Sequence, residues 1–126
     1  MYISRDDLMT LFGESEIIKL ERNISFDNGI EATEQVIKNA TEETNGYLAV
    51  RYNLPLGSVP ERLKQCVAVI ARYRLYKNKA PEQVQWDYEQ EIKWLNQIAS
   101  GKVMLMLGDD NPEPKPQAFS LSLERY

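Results

Sequence analysis

From Cys66 to Ala71 the chain reads Cys-Val-Ala-Val-Ile-Ala, an unbroken apolar run within a longer segment of helical spacing. A helix that is apolar on every side through its middle is normally enclosed by other helices, so this segment is expected to be the hub of an all-α domain. Pro60 belongs in its first turn, giving a start within residues 58–61 and an end near Tyr76. Leu63, Cys66, Val67, Ile70 and Tyr73 form its main stripe. Ala68, Ala71 and Leu75 add a second apolar side, whose small residues permit close helix approach, and Val69 and Tyr76 a third.

The same patterning predicts what surrounds the hub. Ser4 and Asp7 have capping-box spacing ahead of Leu8, Leu11 and Phe12, and Gly13 ends that short helix. Residues 14–22 form a second short helix with Ile17, Ile18 and Leu20 inward, followed by a polar loop over 23–29. A long helix is expected from Asn28, capped with Glu31, to about Tyr52. At about 100° per residue, Ile30, Thr33, Ile37, Ala40, Thr44, Tyr47, Leu48 and Arg51 share one face; Glu31, Glu34, Lys38 and Glu42 share the other. Pro55 disfavours helical geometry at Leu54 and stops this helix. Pro81 opens the last long helix, with a stripe of Val84, Tyr88, Ile92, Leu95, Ile98 and Ala99 and Gly101 at its C-terminal cap. The expected fold is a compact bundle of about five helices, two short and three long, over residues 1–101.

An extended arm over 102–126 completes the chain. Val103, Met104, Leu105, Met106 and Leu107 form an apolar run, and Phe119, Leu121 and Leu123 alternate with serines after a proline-rich stretch. These strand-like pieces either seek a partner, fold back on the same subunit's helices or stay disordered. Trp86 lies almost opposite its helix's stripe, either as a partner anchor or beneath the terminal arms; Trp94 sits on that stripe's flank.

Composition narrows the function classes. At 126 residues the chain has one domain's length, and no apolar run approaches the ~20 residues of a membrane span. The N-terminus lacks a signal-peptide layout, so an intracellular protein is expected. A net charge of −4 disfavours general binding to a phosphate backbone. Histidine is absent, which removes the commonest general base and metal ligand, and Cys66, alone, cannot form an internal disulfide or a thiolate cluster. It reads as a small buried hydrophobe, not a reactive thiol. The glycines are isolated, matching no phosphate-cradling loop. The adjacent pairs Glu42-Glu43 and Asp109-Asp110 suit solvated surface better than acid/base work. No enzyme, metal or cofactor is expected, and no small-molecule substrate.

Two features keep alternatives open. Arg62, Lys64, Arg72, Arg74, Lys77 and Lys79 make the hub helix basic, which would suit a nucleic-acid-binding module using residues 62–79. Their angles scatter around the axis, favouring salt bridges to the acidic first long helix and solvated ends. Arg51 is either a ligand-binding cation or a helix-terminal arginine bonding the last carbonyls or a nearby carboxylate.

Tyr2 with Asp7-Leu8, Phe12-Gly13-Glu14, Gly46-Tyr47-Leu48-Ala49, Arg51-Tyr52 with Leu54-Pro55-Leu56, Val59-Pro60 and the run Ile70-Ala71-Arg72-Tyr73-Arg74-Leu75-Tyr76 resemble a family of small structural proteins in Mu-like phages and prophages. Trp94-Leu95 and Ile98-Ala99-Ser100-Gly101 fit the same pattern, so the likeness spans Tyr2 to Gly101. The resemblance implies a head-tail connector or head-completion protein that assembles as a ring with itself and meets portal and tail proteins, in the bacterial cytoplasm during assembly and then in the virion. DNA would be passing cargo only. On this reading Tyr47, Leu48, Arg51, Tyr52, Leu54, Pro55, Leu56, Pro60, Arg72 and Tyr73 are scaffold residues fixing the two central helices. Trp86, Val103, Met104, Leu105, Met106, Leu107, Phe119, Leu121 and Leu123 are the candidate interface.

Overall fold

The computed structural model describes residues 2–107. Five helices follow one another: α1 (Arg5–Phe12), α2 (Glu14–Ile24), α3 (Gly29–Leu48), α4 (Glu61–Leu75) and α5 (Glu82–Ala99). Among the described residues there is no strand. The all-α expectation holds, with two short helices before three long ones.

The apolar hub is α4, which packs on each of the other four helices and most extensively on α3. Leu63, Cys66, Val67, Ala68, Ile70 and Ala71 are wholly inaccessible, while Val69 is half-buried. Ala68 and Ala71 have no side chain beyond Cβ, so neighbouring helices can approach closely there. Each fully buried Leu, Ile or Val contributes roughly 1.5–3 kcal/mol through removal from water. Leu8, Ile17, Ile37, Leu48, Leu95 and Ile98 meet α4 in one core.

Local chemistry sets the helix ends. The Ser4 hydroxyl accepts from the Asp7 N–H at 3.2 Å, and the Asp7 carboxylate accepts from the Ser4 N–H at 2.8 Å. This reciprocal box satisfies two otherwise orphaned donors and is worth about 1 kcal/mol. Gly13, at φ +96°, separates α1 from α2 in a conformation that side chains resist. Gly101, at φ +82°, lets α5 close with paired bonds from the Lys102 and Gly101 N–H groups to the Gln97 and Ile98 carbonyls.

Several expectations change at the start of α3. Asn28 precedes the helix but its side chain makes no cap bond with it; instead the Ser25 hydroxyl accepts from the Asn28 N–H at 3.1 Å. Gly29 lies so close to α2 that an added Cβ would stand 2.8 Å from Glu21 Cβ and 2.9 Å from its carbonyl oxygen. That approach turns the Gly29–Thr33 side of α3 inward and leaves Ile30, expected in the core, 52% exposed. Ile18 of α2 is likewise only half-buried.

The helix ends at Leu48, short of Tyr52, although the Tyr52 N–H still donates to the Leu48 carbonyl at 2.8 Å. The Leu54–Pro55 peptide in the connection to α4 is cis. Pro60 precedes α4 at the N-cap position, not within its first turn.

Residues 103–107 run back over the bundle. Val103, Leu105 and Leu107 pack on the core, with Leu105 only 6% exposed, whereas Met104 and Met106 face outward at 57% and 88%. This alternation is that of an extended segment lying flat on a surface. Of the alternatives that the patterning left for this run, Val103, Leu105 and Leu107 take the one that folds back on the same subunit's helices.

Candidate functional site

Arginines on α4 reach out to three different helices. Arg72 Nε and Nη2 donate to Glu16 Oε2 and Oε1 of α2 at 2.7 and 3.0 Å, and its guanidinium lies 4.6 Å from the Phe12 ring centroid. The Tyr76 hydroxyl donates to the same carboxylate at 2.9 Å. Burial pushes the Glu16 carboxyl upward, but the bonds from Arg72 and Tyr76 outweigh it and hold the group below the usual carboxylate range.

Arg74 Nη2 donates to Glu43 Oε2 of α3 at 3.0 Å and to the Tyr88 hydroxyl at 2.9 Å, which in turn donates to Glu43 at 2.9 Å. Burial, with the bond to Glu43, pushes the Tyr88 phenol up to about 12. Tyr73 stacks on Tyr88, with ring centroids 4.0 Å apart and planes within 10°. Arg62 completes the set by donating to Glu91 of α5 at 2.6 Å beneath the Trp94 ring, whose centroid is 4.0 Å away.

These pairings correct the expectation that the basic residues serve the first long helix. Only Arg74 pairs with α3; Arg72 pairs with α2 and, at 3.8 Å, with Asp87 of α5, Arg62 pairs with α5, and Lys64 pairs with Glu61 on its own helix. Of the six basic residues that a nucleic-acid reading of residues 62–79 would use, Arg62, Lys64, Arg72 and Arg74 are thus paired within the bundle, while Lys77 and Lys79 form no salt bridge among the described residues.

A further ion pair was not legible in the sequence. Glu21 is 5% exposed, and its carboxylate accepts from Arg5 Nε at 2.6 Å, Arg5 Nη2 at 2.8 Å and the Thr33 hydroxyl at 2.6 Å. These donors, Arg5 foremost, keep the carboxyl ionised to lower pH than usual despite its burial. Position 21 falls one step from Leu20 on the inward arc of α2, which was the available signal.

The scaffold candidates divide. Leu48 and Tyr52 belong to the core, Tyr47, Leu54 and Leu56 pack against it, and Arg51 is 9% exposed at the end of α3. Pro55 stays exposed and Pro60 half-buried, while Arg72 and Tyr73 join the side-chain clusters described above.

The interface candidates divide as well. Val103, Leu105 and Leu107 are committed to the chain's own core, leaving Met104, Met106 and Trp86, the last at 55%, as the outward-facing ones. Phe119, Leu121 and Leu123 lie outside the described residues. Phe26, in what reads as a polar loop, is 88% exposed; an isolated aromatic between Ser25 and Asp27 was the sign of it.

Among the described residues no cluster of acidic or cysteine side chains is arranged to hold a metal ion, and no helix is long and apolar enough to cross a membrane. Cys66 is fully buried, and that burial pushes its thiol well above the ordinary range.

Comparison with known proteins supplies what the geometry does not. The sequence model of the family described as Bacteriophage Mu, Gp36 matches residues 2–122, reaching beyond Gly101 into the C-terminal segment. The chain is 36% identical over 114 residues to the Mu-like prophage FluMu protein gp36 of Haemophilus influenzae, covering 88% of this chain and 79% of that one. It is 31% identical over 103 residues to Gene product J of Escherichia phage Mu, covering 80% and 73%. A helical bundle carrying these resemblances along nearly its whole length belongs to the Bacteriophage Mu Gp36 family, and the chain is a phage protein.

Proposed function

We propose that this phage protein is a head-tail connector or head-completion subunit, acting by assembly with copies of itself and with portal and tail proteins, and not by catalysis. The observation that carries the reading is the 103–107 segment. Its inner side chains are built into the core, while Met104 and Met106 present an apolar outer edge. An extended segment held in this way offers side chains and backbone to a neighbour without enlarging the subunit's core. Methionines suit such a surface because their flexible thioethers adapt to the facing chain. The exposed Trp86 adds a second apolar anchor on α5. The net charge of −4 suits a conduit that lets DNA pass without gripping it.

Because Leu105 is a core residue, removing the chain from residue 102 onward would disturb folding and docking together. Replacing both methionines, Met104→Ser with Met106→Ser, separates the two. The full-length double variant should keep its helical circular dichroism and unfolding midpoint, yet lose oligomers seen by native mass spectrometry and co-sedimentation with the phage's portal protein. Unchanged assembly and unchanged portal binding would sink the reading.

A further inference from the structure

Two surface features lie on opposite sides of α2. At the corner between α2 and α3, Phe26 and Ile30 stand out at 88% and 52% exposure. Around them Asp27, Glu31 and Glu34 are exposed, with Arg22 the nearby counter-charge; Arg5, also on this side, is held by Glu21. The result is an apolar knob with an acidic collar.

Across the helix, Leu20, Ile24 and Leu75 floor an open groove of about 680 Å³ between α2 and the end of α4, rimmed by Lys19, Lys77 and Lys79. Its one carboxylate, Glu16, is already taken by Arg72 and Tyr76. None of the three lysines forms a salt bridge among the described residues. At about 100° per residue, the α2 positions lining the groove (16, 19, 20, 23 and 24) face on average away from those on the knob side (18, 21 and 22), with Glu21 and Ile24 meeting at the shared edge. Lys77 also occupies a left-handed conformation at φ +57°, where glycine would be easier, so a cation stands on the groove's rim at some conformational cost.

We propose that Phe26, with its acidic collar, docks into the lysine-rimmed groove of a second copy of this chain. The contact rests on the assembly reading above and adds a second surface to the edge formed by Met104 and Met106. Negative collar meets positive rim, and the knob places an aromatic ring and an aliphatic side chain over a floor of leucine and isoleucine. Buried aromatic anchors of this kind dominate interface energies. Knob and groove are different surfaces of one chain, so the contact is head-to-tail: each copy offers both halves, and the series closes into a ring or runs on as a filament. Screening of the rim by salt weakens the association without abolishing it.

The test uses the full chain in sedimentation velocity and native mass spectrometry. Phe26→Ser, at an exposed site, should leave helical content intact and weaken self-association about 30-fold, the factor that a hot-spot aromatic carries. Lys77→Glu with Lys79→Glu should do likewise, and adding Glu31→Lys with Glu34→Lys should restore assembly. A chain carrying Phe26→Cys and Asn78→Cys, in which buried Cys66 stays out of the chemistry, should oxidise to a ladder of covalent multimers. A covalent dimer as the main product of Phe26→Cys alone would mean that two knobs meet each other, and would overturn the proposal. Phe26→Ser assembling as well as the unaltered chain would overturn the contact but leave the assembly reading standing. A chain that stays monomeric at every concentration, with no ladder, would overturn both.

Discussion

The backbone N–H of Leu105 donates to the phenolic oxygen of Tyr52 at 2.9 Å, tying the segment after α5 to the turn after α3. Both residues are buried, at 6% and 3% exposure, so the bond is shielded from water. Tyr52→Phe keeps the ring and strands the Leu105 N–H, a loss of about 1–2 kcal/mol. Hydrogen exchange at the Leu105 amide should accelerate while the amides of α4 stay protected. Unchanged exchange at Leu105 would show that the bond does not hold the segment.

Two glycines on α3 should respond to alanine with opposite signs. At Gly29 the new methyl would meet Glu21 Cβ and its carbonyl oxygen, and the backbone part of that contact cannot rotate away. Overpacking of this kind costs roughly 1–3 kcal/mol, more than alanine's gain in helix propensity returns. At Gly46 nothing lies within 4 Å of an added Cβ, so Gly46→Ala should stabilise by about 1 kcal/mol. Urea midpoints of the two variants, moving in opposite directions from the unaltered chain, are the check.

Acid should weaken the fold through Glu21 and Glu16. Both carboxyls titrate lower in the folded chain than when unfolded, Glu21 chiefly through Arg5 and Glu16 through Arg72 and Tyr76 acting against its burial. Groups depressed in this way contribute stability above their unfolded value, roughly 4.3, and that contribution is lost as pH falls through the folded value. The urea midpoint should be level from about pH 7 to 5 and fall below that. Glu21→Gln should lower stability at neutral pH by about 1–3 kcal/mol, since a charged hydrogen-bonding partner is lost, and make the acid limb shallower. An acid limb as steep as the original would assign the effect elsewhere.

Cys66 offers a probe that needs no engineering. It is fully enclosed at the middle of α4, and its thiol is held well above the ordinary range, chiefly by burial. At pH 8 an aromatic disulfide reagent should react only as fast as the bundle opens, and at once in concentrated denaturant. Rapid labelling of the folded chain would contradict the placement of α4.

The sequence makes short-range features legible and leaves the long-range ones hidden. The Ser4–Asp7 cap, the Gly101 helix end and the apolar run from Cys66 to Ala71 each rest on neighbours within a few positions, and each reads correctly. Ile30 does not, because its direction is set by how tightly Gly29 sits on α2. The partner of each α4 arginine is 29 to 56 residues away, so charge pattern shows that pairs are needed but not which helix supplies the carboxylate. The 103–107 run shows its period-two patterning only once its inner side chains have a core to meet. Phe26 stands outside both helical stripes, and periodicity therefore says nothing about it.

The radial layout of Arg62, Arg72 and Arg74 bears on how this protein can diverge. Each cation makes its closest ion pair with a different outer helix, through Glu91, Glu16 and Glu43, and Arg72 also has Asp87 of α5 at 3.8 Å. A lineage that drops Glu91 or Glu43 leaves Arg62 or Arg74 without its carboxylate, whereas one that drops Glu16 leaves Arg72 beside Asp87. Descendants should therefore shed or swap the Arg62–Glu91 and Arg74–Glu43 charges as matched couples, and lose Glu16 more freely, with the hub between them unaltered.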